Sequence, residues 1–349
     1  VFEQSPRSAT YGFGIVFTDL NFIREFDPTF HDEVLARQKG FRDGMRIVHR
    51  GVATFVDGFP FNRMARIDLL NVLQARCEAV GVNLVFESRI ARYEDLPTAD
   101  VVVIAEGVNS SLRDQFRDEF GTRRGERSFW WAWYGTEAAF PVTTLTFQQH
   151  PDGLYIGHAY QYAPDRSAFV VEAPPATWER AGFAAMDEER TRLYCSQVFA
   201  DALGGKPLLS NRTVWFKYPV ITNERWSHRN MVLIGDCMRT GHPTIGAGTR
   251  LAMHDAQHLF QAFERHPCDV QAAFAAFEAS RRPGSNAMVE VADRSVKWYE
   301  SVEARLSLDP VAFTYSYMMR TGRITHEDLR RRDPQFVARY EALTTAPTE

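Results

Sequence analysis

The stretch from residue 230 to residue 256 constrains the fold more strongly than any other part of the chain. Residues 231–234 form a short apolar run that is typical of a strand buried on both faces. Gly246 and Gly248 lie in the loop that follows, and a helix is predicted from about Thr249 onward. Glycines carry no side chains, so the backbone N–H groups and the positive end of the helix can approach an anionic ligand. This order of strand, loop and helix predicts an α/β fold with a cradle for a cofactor.

A turn and a histidine–proline step lie between the strand and the helix. Gly235 gives the turn conformational freedom, and the Asp236 carboxylate can accept hydrogen bonds from a sugar or polyol hydroxyl. His242 and Pro243 come next, and the loop ends in three small residues, Gly246, Ala247 and Gly248. Gly-x-Gly alone is more often a plain turn. The whole string, however, resembles the second flavin fingerprint of the FAD-dependent aromatic hydroxylases, the group A flavoprotein monooxygenases. The resemblance implies that Asp236 holds the ribitol chain of FAD and that Gly235 and residues 246–248 contact the cofactor.

A second stretch carries the same resemblance. Residues 99–105 are rich in β-branched side chains, and Glu106, Gly107 and Arg113 follow them. These residues resemble the family motif Asp-Gly-x-x-Ser-x-x-Arg, which implies contacts with the flavin pyrophosphate and the pyridine nucleotide. Glu106 replaces the family aspartate, and its extra methylene moves the carboxylate by about one bond length. Without the family, residues 109–111 are a helix N-cap cluster.

The start of the chain resembles only the end of a dinucleotide-binding unit. Residues 1–3 look like the end of the second Rossmann strand, with Glu3 as its ribose-binding acid. The phosphate-binding glycine turn belongs about 20 residues before that acid. The chain contains no Gly-x-Gly-x-x-Gly. We therefore expect an N-terminally truncated version of a longer flavoprotein, lacking about 25 to 30 residues with the first strand and phosphate loop, and binding FAD poorly as written.

Arg66 precedes a helix predicted over residues 67–80, where apolar residues recur at helical spacing. Residues 82–86 are predicted to return as a strand. The segment resembles the family element in which an arginine precedes a leucine-rich helix, and the resemblance implies that the next strand passes near the adenosine half of FAD. Arg66 is therefore either a cofactor contact or simply a helix-start residue, and both interpretations stay open.

Between residues 128 and 172 the pattern changes to short alternating strands that are rich in aromatic side chains. Strands are predicted at residues 130–134, 143–148, 154–160 and 168–172, and a helix at residues 188–203. The family resemblance implies an antiparallel sheet that covers the substrate cavity. Alternation sends about half of the rings of residues 129–134 to each face of the sheet. His158 and Tyr160 share one strand face, which makes them candidate substrate contacts.

The composition excludes several classes of function. A net charge of −4 argues against a nucleic-acid partner. No apolar run approaches the roughly 18 residues that a membrane span requires, and no signal peptide is visible. The cysteines lack metal-ligand spacing and are interpreted as free thiols in a reducing compartment: Cys77, Cys195, Cys237 and Cys268. We therefore expect a cytoplasmic protein without a metal site or a membrane partner.

The family resemblance also implies the architecture. The expected fold is α/β (α+β), like that of para-hydroxybenzoate hydroxylase, with a Rossmann-like FAD-binding domain whose first strand is missing, an antiparallel substrate-binding sheet and a helical C-terminus. Four parts are predicted: FAD-binding over residues 1–127, substrate-binding over 128–215, FAD-binding again over 216–283 and helical over 284–349. The aromatic helical tail is typical of packing on its own domain, and a homodimer contact is the alternative.

A narrower resemblance concerns the substrate. The step His158-Ala159-Tyr160 and residues 11–19, 169–172 and 320–334 resemble the aryl-CoA hydroxylases and the hydroxylases of violacein assembly. This implies an aryl-CoA thioester such as salicylyl-CoA or 2-aminobenzoyl-CoA as substrate. A tryptophan- or indole-type hydroxylase is one alternative, and a truncated, non-catalytic flavoprotein-like domain is another. The arginines at 123, 124 and 127 either bind the CoA phosphates or are solvated surface.

The family resemblance further implies the mechanism. NAD(P)H reduces FAD, O2 adds at flavin C4a, and the resulting hydroperoxide delivers one oxygen atom to an aromatic ring carbon. His242 and Pro243 are the candidate catalytic residues, because they lie in the loop expected beside the flavin. His242 either hydrogen-bonds a phenol or amine of the substrate or caps the loop, and both interpretations stay open.

Overall fold

The computed structural model describes residues 1–10, 12–17, 20–38 and 43–345. The strands within these residues are β1 Gly14–Phe17, β2 Met45–His49, β3 Val52–Val56, β4 Asn62–Ala65, β5 Val102–Ile104, β6 Thr122–Thr136, β7 Thr143–His150, β8 Gly153–Ala163, β9 Arg166–Ala173, β10 Leu208–Leu209, β11 Phe216–Asn223, β12 Ser227–His228 and β13 Met231–Leu233. The α-helices are α1 Asn21–Arg24, α2 Pro28–Ala36, α3 Arg66–Ala79, α4 Ser111–Gln115, α5 Arg117–Phe120, α6 Pro175–Arg180, α7 Glu188–Val198, α8 Ala200–Leu203, α9 Gly248–Arg265, α10 Val270–Glu300, α11 Pro310–Met319, α12 His326–Arg332 and α13 Pro334–Thr345. Parts of the likeness at 11–19 and of the region 284–349 lie outside the described residues.

An eight-stranded sheet is the largest element of the fold. Its strand order is β10-β6-β9-β8-β7-β2-β3, and β11 also pairs with β6. Neighbouring strands are antiparallel except for β2 and β7, which are parallel. The antiparallel sheet predicted from the alternating pattern is confirmed, and its four strands are longer than predicted.

The two faces of this sheet bury different cores, because successive side chains of a strand point to opposite sides. Tyr134 and Phe169 pack on the side of α7. Trp131 and Val170 pack on the side of α10 and α11. The aromatic residues at 129–134 are therefore divided between two cores, as the alternation predicts.

A second, three-stranded sheet of order β12-β13-β5 carries the turn predicted at Gly235. β13 and β5 are parallel, so their carboxyl ends meet at one edge. Gly235 has a φ of +65°, and a Cβ atom added to it would lie 3.6 Å from the Cβ of Ala252 on α9. α9 packs on this sheet through Leu259 and Ala262. The predicted order of strand, turn, loop and helix is confirmed.

The N-terminal residues lie beside the segment that follows α3. Phe2 forms a parallel bridge with Val85, and the Glu3 N–H donates to the Val85 carbonyl at 2.9 Å. The strand predicted over residues 82–86 is wrong, because pairing there is limited to this one bridge. β5 lies at the edge of its sheet, and its Val103 is 45% exposed. The upstream strand and the truncation stay predictions.

Two predicted domain boundaries fall inside single elements. β6 runs through residues 127–128, and α10 runs through residues 283–284. α10 continues past Pro283 because both of its halves are held by packing. Its first half places Phe274 in the core of the small sheet, and its second half places Tyr299 against the large sheet. The helix thus joins the two cores, and the four-part division stays a prediction.

The described residues include neither a candidate membrane span nor a candidate metal cluster. None of the helices there combines the length and apolar character that a membrane span requires. No three His, Cys, Asp or Glu side chains in the same part of the chain come together as a candidate metal site. The four cysteines are free thiols.

Candidate active site

A cavity of about 630 Å³ lies between the large sheet, the loop after β13 and the C-terminal helices. The predicted site residues that line it are Arg66, His158, Tyr160, Asp236, Pro243, Gly246, Ala247 and Gly248. The predicted site residues that do not line it are Glu3, Glu106, Gly107, Arg113, Gly235 and His242. The fold therefore gathers the loop, the start of α3 and one face of β8 around a common space, although they are far apart in the sequence.

The loop that opens α9 leaves space where a ligand can approach its backbone. Gly246 has a φ of +59°, a left-handed conformation that favours glycine. A Cβ atom added to Gly246 or Gly248 would meet no atom within 4 Å. Ala247 is the N-cap of this 18-residue helix and provides no side-chain hydrogen bond to its first N–H groups. These N–H groups and the helix dipole favour an anionic or electron-rich ligand atom at the loop.

Asp236 lies beside this loop and lines the same cavity. Burial raises the pKa of Asp236, and the positive charges of Arg239 and Arg66 act in the opposite direction. Within the described part of the chain, no group hydrogen-bonds this carboxylate. Arg66 is the first residue of α3 and also lines the cavity. A ligand hydroxyl would supply the hydrogen bonds that the partly buried carboxylate lacks.

A buried ion cluster holds the turn that carries Asp236. Asp255 on α9 is fully buried, and its carboxylate accepts a hydrogen bond from the Gly235 N–H at 2.9 Å. The same carboxylate pairs with Arg239 at 2.8 Å and with Arg281 of α10 at 2.7 Å. Because a buried charge needs partners, this cluster fixes the turn against α9 and α10 at once.

The predicted pyrophosphate motif makes contacts within the protein. The Glu106 carboxylate accepts hydrogen bonds from Ser110 Oγ at 2.6 Å and from the Leu112 N–H at 3.0 Å, which stabilises the start of α4. Arg113 is fully buried and donates to the Cys237 carbonyl at 3.4 Å. It thereby connects α4 to the turn after β13. Cofactor contacts of Glu106 and Arg113 stay predictions.

Gly107 and Glu3 occupy the outer part of this region. Gly107 has a φ of +73°, and a Cβ atom there would meet no atom within 4 Å, so its backbone is open to a ligand. The Glu3 carboxylate accepts a hydrogen bond from the Ser5 N–H at 2.7 Å in an exposed position. Their cofactor roles also stay predictions.

The sheet wall of the cavity carries a histidine–carboxylate pair. His158 on β8 lines the cavity, and its Nε2 lies 2.9 Å from Oε2 of Glu172 on β9. Burial raises the pKa of Glu172, and the hydrogen bond with His158 lowers it. Tyr160 lines the cavity too, but its hydroxyl donates to the Gly14 carbonyl at 3.0 Å. The shared face predicted for His158 and Tyr160 is confirmed.

His242 lies behind the cavity wall. It is 5% exposed, and its ring packs edge-on against Trp131 and Tyr218 at centroid distances of 5.3 and 5.2 Å. Its Nδ1 lies 3.0 Å from Oγ1 of Thr244. Burial lowers the pKa of His242 to about 3, so the ring is neutral near pH 7. These contacts favour the loop-capping interpretation, and the adjacent Pro243 lines the cavity. Catalytic roles for both residues stay predictions.

Known proteins resemble this chain over most of its length. It is 31% identical over 353 residues to a salicyloyl-CoA 5-hydroxylase from a Streptomyces species, which covers 98% of this chain and 68% of that protein. It is 32% identical over 329 residues to the 3-hydroxy-4-methyl-anthranilyl-(aryl-carrier protein) 5-monooxygenase of Streptosporangium sibiricum, covering 92% and 86%. The chain belongs to the FAD-dependent aromatic monooxygenases. This family includes the protodeoxyviolaceinate monooxygenase of Chromobacterium violaceum, which is 29% identical over 322 residues, covering 91% and 86%.

The fold of this monooxygenase has close counterparts among solved structures. The structure of 2-methyl-3-hydroxypyridine-5-carboxylic acid oxygenase matches it with a TM-score of 0.71, covering 95% of this chain and 90% of that chain. The two sequences are 18% identical, so this likeness shows the fold alone. It agrees with the expected α/β fold with an antiparallel sheet and a helical C-terminus. No protein-family model matches the chain.

The residues around the loop fit the FAD that the family uses. FAD presents a polyol chain, a diphosphate and a ring edge with hydrogen-bond acceptors. The Asp236 carboxylate has no hydrogen-bonding partner in the described part of the chain and suits the polyol. The open backbone at Gly246 and Gly248 and the uncapped start of α9 suit an electron-rich edge or a phosphate. This monooxygenase would hold FAD at that loop, with Arg66 facing the same space.

Sequence reasoning missed two groups at this site. Glu172 stands in an otherwise apolar run on β9, and a charge at a predicted core position was the available signal. Asp255 lies on the buried side of α9, where a carboxylate likewise marks a required partner. In both cases the partner comes from another element, so the sequence pattern alone does not identify it.

Proposed function

We propose that this monooxygenase hydroxylates the aromatic ring of an acyl thioester, with salicylyl-CoA or 2-aminobenzoyl-CoA as the first candidates and NAD(P)H as reductant. The observation that carries the proposal is shared chemistry between two relatives. One is named for a salicyloyl-CoA substrate and the other for an anthranilyl group on a carrier protein. Both names describe an aromatic acid held as a thioester.

The interior of the cavity supports an aromatic ligand. Trp131 and Trp133 on β6 line it together with Leu145 and Val170 from neighbouring strands. Flat aromatic and branched apolar surfaces favour a planar ring and exclude water from it. The polar side chains on this wall include His158 and Thr143, and the Tyr160 hydroxyl is bound to the Gly14 carbonyl at 3.0 Å.

The rim of the cavity supports a phosphorylated carrier. Arg323 and Arg332 are exposed residues that line it, and neither forms an ion pair with a carboxylate within the described part of the chain. Arginines of this kind favour phosphate groups. The three sequence-based candidates make contacts elsewhere. Arg123 pairs with Glu224 at 2.7 Å, Arg124 donates to Asn109 Oδ1 at 2.9 Å, and Arg127 pairs with Asp293.

The protein residues would bind, orient and shield the reactants. FAD, when bound and reduced by NAD(P)H, supplies the activation of O2 and the transfer of one oxygen atom. Asp236, Arg66 and the loop at residues 246–248 would fix the cofactor. Pro243 and Trp131 would keep the ring of the substrate close to it and keep water out.

The test is turnover by the FAD-loaded protein. NADH and NADPH oxidation and O2 uptake are measured with salicylyl-CoA, 2-aminobenzoyl-CoA, the two free acids and tryptophan, and products are analysed by mass spectrometry. We expect the thioesters to stimulate both rates and to gain one oxygen atom. Hydroxylation of the free acids alone would contradict the thioester proposal.

An indolic substrate is the second candidate. It is supported by the 29% identity to the protodeoxyviolaceinate monooxygenase over 91% of this chain. The same assay with further indolic compounds added decides between them, because an indole hydroxylase would convert tryptophan or another indolic compound and leave both thioesters unchanged.

A further inference from the structure

Glu172 is a carboxylate buried inside the large sheet. It is 1% exposed and stands opposite Trp131 on β6 and Ile156 on β8 in the strand register. An ionised carboxylate is strongly destabilised in such apolar surroundings unless a proton donor faces it. The group that faces it is His158, with Nε2 at 2.9 Å from the carboxylate.

The imidazole of His158 connects this carboxylate to the cavity. Its ring is stacked between Trp131, at a centroid distance of 5.4 Å, and Tyr299, at 5.9 Å, which restricts its rotation. When Glu172 is ionised it can only accept, so Nε2 carries the proton and Nδ1 is left as an acceptor. No group among the described residues hydrogen-bonds Nδ1, and the residue lines the cavity.

His242, the histidine near His158, is not equally suited to accept a proton from a ligand. The Nδ1 of His242 is occupied by Thr244 at 3.0 Å, and the residue does not line the cavity. His158 therefore combines access to the ligand space with a carboxylate that can stabilise its charged form. This arrangement suits a proton acceptor for a ligand in the cavity.

We propose that His158 is the general base that removes the proton from a ring hydroxyl of the substrate, and that Glu172 is the residue that positions it. This rests on the proposed function, because it requires an aromatic substrate with an ionisable hydroxyl. The substrate O–H bond breaks, its electron pair stays on oxygen, and its proton forms an N–H bond at Nδ1 of His158. The Nε2 proton stays in place, and the Glu172 carboxylate balances the imidazolium charge. The phenolate ring is richer in electrons and is therefore attacked more readily by an electrophilic oxygen.

Among the residues that the structure describes, three titratable groups face His158 from the elements packed against it. They are Glu172 on β9, Tyr299 on α10 and His242 in the loop. Burial raises the pKa of Tyr299 well above its ordinary range, with Tyr317, Arg320 and Glu172 as further influences. Burial lowers the pKa of His242 to about 3, and Arg127 acts in the same direction. Burial raises the pKa of Glu172, and the hydrogen bond with His158 acts in the opposite direction.

The first test separates phenolic from amino substrates. Reduced, FAD-loaded protein is mixed with O2 and either salicylyl-CoA or 2-aminobenzoyl-CoA, and hydroxylation is followed against pH. We expect Glu172→Gln to slow hydroxylation of the phenolic thioester by about 100-fold and to move the acidic limb of the profile to lower pH. The amino substrate loses no proton before attack, so its rate should change by less than about threefold. Glu137→Gln is the control, because it makes the same substitution at a carboxylate outside the cavity. Glu137 directly follows β6 and pairs with Arg166 at 3.1 Å.

The second test needs no substrate. ¹⁵N NMR of histidine-labelled protein reports which ring nitrogen of His158 is protonated, with the signal assigned from His158→Gln. We expect a protonated Nε2 in the wild type. Protonation at Nδ1 would overturn the proposal.

Failure of the base assignment and failure of the proposed function give different results. If the thioesters are hydroxylated but Glu172→Gln matches the wild type with both substrates, the base assignment is wrong and the proposed function stands. If free salicylate is converted instead of the thioester, the proposed function fails, and the same comparison on salicylate and 2-aminobenzoate decides the role of the pair. If no substrate is converted, the NMR result alone decides it.

Discussion

Asp236 has a partly buried carboxylate with no hydrogen-bonding partner within the described part of the chain. Burial raises the pKa of Asp236 above the ordinary value of an aspartate side chain. The folded state therefore holds this proton more tightly than the unfolded chain, so the stability that the protonated form contributes is lost as pH rises through the folded pKa. We predict that Asp236→Asn raises the urea midpoint of the FAD-free protein at pH 7. The same change should weaken FAD binding by about 10- to 100-fold, because charge-assisted hydrogen bonds to the ligand are lost.

Urea unfolding of the FAD-free protein and fluorescence titration with FAD measure these two effects. Glu137→Gln serves again as the control, because it removes one exposed carboxylate outside the cavity. A lower urea midpoint together with unchanged FAD affinity would show that Asp236 is a structural residue.

His242 makes a separate prediction about acid stability. Its pKa is lowered by burial from 6.5 to about 3. Between these values the unfolded chain binds a proton that the folded protein does not, so stability falls as the pH falls. We expect the wild type to lose about 2 kcal/mol more than His242→Gln between pH 8 and pH 5. Urea unfolding at both pH values measures this difference, and parallel losses in the two proteins would contradict it.

At the scale of elements, one cluster couples the glycine loop to the helices behind it. Asp255 links the turn at Gly235 to α9, and Arg281 extends the link to α10. Asp255→Asn would remove the ion-pair partner of two buried arginines, Arg239 and Arg281. We predict a loss of about 3 to 5 kcal/mol in the free energy of unfolding, measured with urea.

An exposed ion pair provides the comparison for this loss. Glu33 pairs with Arg37 one helical turn later at 2.9 Å, with side chains 52% and 39% exposed. Glu33→Gln should leave the urea midpoint nearly unchanged. Equal effects of the two substitutions on the urea midpoint would mean that burial of the Asp255 cluster contributes nothing to the free energy of unfolding.

The elements themselves were largely predictable from local pattern. Alternation identified β6 to β9, and the order of strand, turn and glycine loop identified β13 and α9. The strand predicted at residues 82–86 failed because propensity does not supply a pairing partner. Local pattern was also insufficient at residue 283, since a helix continues through proline when packing holds both sides.

The candidate site was predictable where one segment supplies it. The turn and loop that hold Asp236 and Gly246 are encoded within a short stretch, and both residues line the cavity. The pairing of His158 with Glu172 depends instead on the register of β8 against β9. The position of His242 behind the wall depends on packing against Trp131 from a distant strand. These are properties of the folded molecule, which no single segment encodes.

At the scale of the whole molecule, the C-terminal helices complete the cavity that the sheet and the loop begin. Arg323, before α12, and Arg332, at its end, bring two cations to the rim. Arg332 is held there by a hydrogen bond to the Gly58 carbonyl at 2.8 Å and by the Phe59 ring, 4.9 Å away. The tail of the chain would therefore select the carrier, while the sheet would select the aromatic ring.

This division of roles leads to a prediction about the carrier. If the rim arginines bind CoA phosphates, Arg323→Ala and Arg332→Ala should each raise the KM for salicylyl-CoA by about tenfold. The KM for salicylyl-pantetheine, which lacks those phosphates, should stay the same. Added salt should raise the wild-type KM for the CoA thioester, because exposed charges are screened. Arg331→Ala is the matched control, since Arg331 is the exposed neighbour that pairs with Asp328 and does not line the cavity. An equal rise in KM for both thioesters would mean that these arginines stabilise the fold of the rim and that other groups bind the carrier.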